Sequence, residues 1–354
     1  MNRSGSVDRV RDLLQVQLPI IQAPMAGVQG GRLVVAVSNS GALGSLPCAM
    51  LTPDAVRREI TAIRAATDRP INVNFFCHTT PVASAQREAA WRAALASYYA
   101  ELGIPEDAIQ TGPARAPFGH EMADVLEEFK PPVVSFHFGL PSAPLLGRVK
   151  ASGARILSSA TTVEEARWLE ANGVDAIIAQ GLEAGGHRGM FLTGDLTTQL
   201  GTFALLPQVV RAVRVPVIAA GGIVDATGVA AAMALGAAAV QVGTAYLLCP
   251  EATTSAVHRA VLKSDEAQRT ALTNLFSGRP ARGIVNRLMR ELGPISTLAP
   301  EFPLAAAAIA PLRAAAESRG RGDFSPMWCG QNASHCQDVS AADVTRELAA
   351  GYSY

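Results

Sequence analysis

The sequence predicts an α/β fold, a (β/α)8 TIM-type barrel that carries a smaller, mainly helical second domain. Two observations lead there. Short apolar or β-branched runs alternate with amphipathic, alanine-rich stretches, and eight such runs can be counted. Strict alternation implies a parallel sheet, either closed or open and doubly wound, and a count of eight favours closure. The chain also lacks G-x-G-x-x-G, the usual mark of an open dinucleotide-binding sheet, and has no G-x-x-x-x-G-K-[ST] phosphate loop.

The strand-like runs fall at 19–24, 42–46, 71–76, 133–138, 155–158, 176–180, 217–220 and 240–242. Helix-like segments such as 53–66, 163–172 and 226–235 lie between them. Asn172-Gly173 and Leu235-Gly236 supply the usual helix stop before the next apolar run. Two stretches exceed ordinary βα connections. One is 78–132, with an aromatic helix around Trp91, Tyr98 and Tyr99; the other is everything after Thr244, with helical patterns near 253–262, 281–292 and 304–318. These predict a cap over one end of the barrel. The expected organisation is a barrel from 1–79 and 131–250, a cap from 80–130 and 251–335, and a tail at 336–354.

Composition narrows the function. Of 354 residues 49% are hydrophobic and 17% charged, enough apolar material for a large core. Thirty basic residues balance thirty acidic ones without a basic run, which argues against nucleic acid and for small-molecule partners. The five cysteines, Cys48, Cys77, Cys249, Cys329 and Cys336, are too sparse for a disulfide framework. Cys77-His78 and His335-Cys336 have no matching pair at zinc-like spacing, so no metal is expected. No apolar run reaches the roughly 18–20 residues of a membrane span, and the polar start does not resemble a secretory signal. The expectation is a soluble, cytoplasmic protein; the sequence leaves oligomeric state open, a homo-oligomer included.

In such a barrel the reactive groups sit at the carboxyl ends of the strands, often with a phosphate site after strands seven and eight. Here those strands end in Gly221-Gly222 and in Gln241-Val242-Gly243-Thr244. Glycines there let backbone N–H groups approach an anion, although they also serve a chain that only needs to turn. The sixth strand runs into Gln180-Gly181-Leu182-Glu183-Ala184-Gly185-Gly186-His187-Arg188-Gly189, where four glycines surround a histidine. His187 suits general-base work or donation to an anionic substrate. Arg188 is read as an anion aid or as an exposed side chain. If Phe136 and Phe138 share one face of the fourth strand, His137 points to the other, as a site residue or as a hydrogen-bonded core histidine. Asn72 and Asn74 on strand three, with Gln180 and Gln241 at strand ends, are amides that need partners. No G-x-S-x-G nucleophile elbow is present. The residues reach a phosphate-bearing ligand beside a histidine; they do not name a flavin.

Five segments carry a resemblance further: IQAPMAG (21–27), NVNFFCH (72–78), VVSFHFGLP (133–141), AQGLEAGGHRG (179–189) and AAGGI (219–223). Together they resemble the nitronate monooxygenase family, formerly 2-nitropropane dioxygenases, in its class I branch. The resemblance implies non-covalent FMN, held by Met25, Asn74, Gln180, Gly185, Gly221, Gly222 and Gln241, Val242, Gly243 and Thr244. It implies His187 and His137 as catalytic histidines. The implied reaction takes an alkyl nitronate, propionate 3-nitronate for this branch, and O2 to a carbonyl compound and nitrite through a flavin semiquinone. One departure stands out. Some members carry tyrosines and a lysine where this chain reads Phe302-Pro303-Leu304 and alanines, which weakens the case for a carboxylate-bearing nitronate. Trp328-Cys329-Gly330-Gln331 resembles a strap of the family that returns towards the flavin. The alternative on the same barrel is an FMN-dependent NAD(P)H enoyl-thioester or quinone reductase, although such reductases tend to place an acid where Gln180 stands.

Overall fold

The computed structural model describes residues 3–105, 108–109 and 115–352; positions 1–2, 106–107, 110–114 and 353–354, parts of the expected barrel, cap and tail, lie outside the described residues. Helix α1 (Arg3–Leu14) leads into β1 (Ile20–Gln22), α2 (Gly31–Asn39), β2 (Gly44–Pro47), α3 (Pro53–Ala66) and β3 (Ile71–Phe76). After α4 (Ala85–Leu102) and α5 (His120–Phe129) come β4 (Val133–His137), α6 (Ala143–Ala151), β5 (Arg155–Ala160), α7 (Val163–Ala171), β6 (Ala176–Gln180) and the short β7 (Gly186–His187). Then α8 (Thr202–Ala212), β8 (Val217–Ala220), α9 (Ala226–Ala234) and β9 (Ala239–Val242) finish the alternation. Beyond it lie α10 (Ala256–Leu262), the antiparallel pair β10 (Thr270–Thr273) and β11 (Ala281–Ile284), α11 (Arg287–Glu291), α12 (Ala305–Glu317) and α13 (Ala341–Ala350).

Eight parallel strands run in the order β1-β9-β8-β6-β5-β4-β3-β2. A parallel bridge between Ile21 and Leu43, with Gln22 N donating to Leu43 O at 2.9 Å, joins the two ends of that order and closes the (β/α)8 barrel. Local chemistry starts the helices where the pattern placed them. Thr52, Thr162 and Asp225 each accept a hydrogen bond from a backbone N–H of the first turn of α3, α7 and α9. Outward strand residues such as Phe136, Ile156, Ile177 and Val240 pack under the surrounding helices in the largest core. Inward residues near the strand starts, Val133, Leu157, Ala176 and Ala239, meet Val10 and Leu14 of α1, which plugs the amino-terminal end. The opposite end is left for chemistry. Among the described residues no helix is long and apolar enough to cross a membrane.

A second core joins α4 to the segments after the barrel. Trp91, Leu95 and Tyr98 pack with Leu275, Leu288, Ile309, Leu312 and Phe324. Two hydrogen bonds pin α4 to α12, from Trp91 Nε1 to Ala305 O (3.3 Å) and from the Tyr99 hydroxyl to Ala308 O (2.7 Å).

The structure corrects two expectations. The stretch 281–292 is not one helix: Ala281–Ile284 is a strand paired with β10 and β7, and only Arg287–Glu291 is helical, capped by the Asn286 side chain. The pairing leaves little room for side chains, since a Cβ on Gly283 would stand 3.0 Å from Met327 O and from the Trp328 ring. Nor is 336–354 a tail. Helix α13 packs against α2 and α9, burying Ala341, Val344 and Leu348 in the main core, while Thr345 meets the Tyr246 hydroxyl at 2.9 Å. It fills the eighth helical place of the barrel. Leu348→Ala should therefore cost about 2–5 kcal/mol of stability, as a fully buried leucine does. A urea midpoint unchanged from wild type would show that α13 is dispensable to the barrel.

Candidate active site

At the carboxyl ends of the strands lies an elongated cavity of about 1280 Å³, open mouth included. It gathers most of the residues singled out in the sequence. Met25 and Asn74 line it from the first and third strands, His137 and Gln180 from the fourth and sixth. Gly185 and His187 come from the loop after β6, Gly221 and Gly222 follow β8, and Gln241, Gly243 and Thr244 lie at β9. Val242 is the exception. Strand alternation turns its side chain outward into the main core, so it is not a lining residue.

At one end of the cavity the glycines are packed closely against the protein's own chain. Gly221 has φ +117°, and a Cβ there would sit 2.9 Å from Thr202 Oγ1. A Cβ on Gly185 would stand 2.6 Å from Gly330 N. Glu183 fixes this end by accepting from Thr202 N (2.7 Å) and Thr202 Oγ1 (2.9 Å), and Thr202 Oγ1 also reaches Gly221 O at 3.0 Å. The strap from Trp328 crosses here: Gly330 N donates to Thr244 Oγ1 (3.0 Å) and Asn332 Nδ2 to Gly222 O (3.2 Å). Trp328, Gly330 and Asn332 all line the cavity.

The middle carries amides. Asn74 Nδ2 donates to Ser135 Oγ at 2.9 Å. Gln241 lines the wall, and its Oε1 is buried without a hydrogen-bond partner among the described residues. Asn72 sits under the floor instead, its Nδ2 donating to Ser45 Oγ and Ser135 Oγ, and it does not line the cavity. Gln180 spends its amide on the loop: Nε2 donates to His187 O (3.0 Å) and Oε1 accepts from Gly189 N (2.7 Å).

The far end is aromatic. The His187 ring lies 5.3 Å from Phe302, 5.4 Å from Trp328 and 6.0 Å from Phe138, centroid to centroid. Its Nε2 is 2.8 Å from Ser277 Oγ, whose hydroxyl also reaches Arg279 O at 3.3 Å. If that hydroxyl donates to the carbonyl, it accepts the Nε2 proton, and Nδ1 carries the lone pair. Burial first, then the charges of Arg115 and other cations, push His187 well below the ordinary histidine value, so the ring is neutral. His137 is held to about 4, mainly by burial. Its Nδ1 is 2.8 Å from Ser159 Oγ and its Nε2 3.1 Å from His187 O, so Nε2 bears the proton and both nitrogens are engaged within the protein.

Arg188 is neither exposed nor an anion aid. It is fully buried, and its guanidinium donates to Gln180 O (2.7 Å), Gly181 O (2.7 Å) and Gln199 Oε1 (3.0 Å). Phe138 also departs from the expected alternation. Its φ of +69° swings the ring away from the Phe136 side and towards His187 and Phe302. The sequence reading passed over Arg115, Phe302 as a ring partner, Ser277 and Arg279. Only a chain path that returns from the cap brings them here.

Comparison with known proteins places the chain in a family. The family model described as nitronate monooxygenase matches residues 8–351. A nitronate monooxygenase of Pseudomonas aeruginosa is 43% identical over 344 residues, covering 96% of this chain and 98% of that protein. One from Paraburkholderia phytofirmans is 44% identical over 342 residues, 95% of this chain and 92% of its own. Among solved structures, a nitroalkane oxidase from Streptomyces ansochromogenes superposes with a TM-score of 0.88 at 37% identity, covering 98% of both chains. FabK from Thermotoga maritima reaches 0.70 at 27% identity, covering 98% of this chain and 96% of its own. The chain belongs to the nitronate monooxygenase family of enzymes.

Proposed function

We propose that the protein binds FMN and uses O2 to convert alkyl nitronates to a carbonyl compound and nitrite. The observation that carries this is a neutral, buried His187 at the aromatic end of a cavity whose other end is glycine-lined. FMN asks for three things: room for a phosphate, polar partners along its length and a flat apolar seat. The glycine-lined end fits the phosphate, with Gly221, Gly222, Gly243 and Thr244 around it. The unpartnered Gln241 Oε1 fits a ring N–H, and Met25 offers an apolar surface. Gln180 would touch the group only with what its loop contacts leave free.

When bound, FMN supplies the electron acceptance and the oxygen chemistry; the protein supplies position and exclusion of water. Phe76 and Trp328 line the substrate end, and Phe302 and Phe138 pack around His187 behind them. A nitronate has already lost its α-proton, so His187 serves it as a hydrogen-bonding partner through a ring nitrogen. A neutral nitroalkane still carries that proton, and there His187 Nδ1 is the base. His137 is a positioning residue, holding the His187 carbonyl through Nε2–H.

Purified protein should be yellow, its spectrum should change when propionate 3-nitronate is added anaerobically, and nitrite should appear in air. Bleaching by NADPH with no response to the nitronate would move the assignment to a reductase, and a colourless protein would remove the flavin. His187→Asn should lower kcat/KM for a neutral nitroalkane by about 100-fold or more and for its nitronate by much less; equal losses would end the base assignment.

The buried histidines also set a pH dependence. His137 at about 4 and His187 well below its usual value titrate lower in the folded chain than in the unfolded one, where the reference value is 6.5. Below that value the unfolded chain takes up protons that the folded one refuses. Stability is therefore complete above about pH 6.5 and falls with acid, by up to about 1.4 kcal/mol per pH unit for each ring. Urea midpoints should be level between about pH 7 and 8 and drop between about pH 6.5 and 5. A level midpoint across the lower window would mean that these rings protonate in place.

A further inference from the structure

Arg115 is the single Arg, Lys, Asp or Glu among the described residues that line the cavity. It stands on the connection between α4 and α5, away from every strand. Its Nε is buried without a hydrogen-bond partner. Its guanidinium carbon lies 5.7 Å from the centre of the Phe302 ring. A half-buried cation with no anion beside it carries a desolvation cost, and no carboxylate of the described lining offsets this one. A second cation strengthens the local potential: the Arg279 guanidinium carbon lies 4.0 Å from the Phe138 ring centre. Both arginines act on His187 and help to keep it uncharged. The substrate end of the cavity is thus positive through groups that do not take part in proton transfer.

Phe302 touches both groups. The His187 ring centre is 5.3 Å from its ring centre, and Arg115 flanks the same ring. His187 and Arg115 both line the cavity, so a small substrate held at His187 shares its walls with Arg115. We propose that Arg115 is a specificity-determining residue, binding a carboxylate that the nitronate carries at the end of its chain remote from the nitro group. The proposal rests on the nitronate reading and names the residue that would hold such a carboxylate. The planar guanidinium matches a carboxylate through two parallel N–H donors, which a lysine cannot copy. It also answers the missing lysine near Phe302: the positive charge enters from 115 instead.

The test compares propionate 3-nitronate with propyl-1-nitronate, of similar length but without the carboxylate, on wild type, Arg115→Met and Arg115→Lys. Arg115→Met should lower the ratio of kcat/KM values, carboxylate-bearing over plain, by about 100-fold, mostly through KM, with Arg115→Lys recovering part of it. An unchanged ratio in Arg115→Met, including an equal fall on both substrates, would overturn the proposal. Calorimetric titration with 3-nitropropionate adds a readout that needs no turnover. Wild type should bind it at least about tenfold more tightly than Arg115→Met, and equal affinities would overturn the arginine's role. Failure of the wild-type protein to oxidise either nitronate would instead count against the proposed function, and the titration would still decide the arginine.

Discussion

The buried guanidinium of Arg188 is the constraint on which the site depends. It ties the carbonyls of Gln180 and Gly181, at the end of β6, to the loop that follows, and its neighbour in the chain is His187. Through Gln199 the tie extends to Thr161, and through Thr161 to Glu165, whose carboxylate accepts from Phe191 N at 2.6 Å. A charge taken out of water is expensive unless its donors are all met. Here the expense secures geometry: the loop has one arrangement that satisfies the guanidinium, and in that arrangement the imidazole faces the cavity. The β7–β11 pairing then fixes the same loop from the cap side.

Two kinds of histidine follow from that scaffold. His137 has both nitrogens bonded and serves as a strut. His187 is the more buried of the two but keeps one nitrogen free of protein partners, so neighbouring positions yield a support in one place and a reactive group in the other. The ring cluster of Phe76, Phe138, Phe302 and Trp328 maintains that setting. A site walled by rings on one side and by glycine backbone on the other separates a dry reaction zone from an anion seat, within a single barrel mouth.

The barrel was legible because its strands are short β-branched runs bounded by helix stops, and 71–76, 176–180 and 217–220 match the observed strands end to end. The strand at Ala281–Ile284 was not, because Ala-Arg-Gly-Ile has no period-two pattern and its partner at His187 lies almost a hundred residues away. In the site, the glycine-rich and amide positions could be read from their place after strands. Val242 was misassigned where simple alternation would have turned it outward. Phe138 was misassigned for the opposite reason, since its positive φ breaks the alternation that was assumed. Arg115 gives no signal: a single arginine in a long connection looks like any solvated one until the fold shows it half-buried beside Phe302 in the cavity wall.

The place of α13 bears on how the chain comes to be folded at all. The helix between α2 and α9 is supplied by residues 341–350, and the Tyr352 hydroxyl bonds to Pro19 O at 2.6 Å across a separation of 333 positions. Contacts of such span form late and slowly. While the ribosome is still extending the chain, β1 and β9 can pair, but the apolar flanks of α2 and α9 stay open to water and to other chains. The last helix thus acts as a keystone, and the nascent protein is most exposed to aggregation just before it emerges.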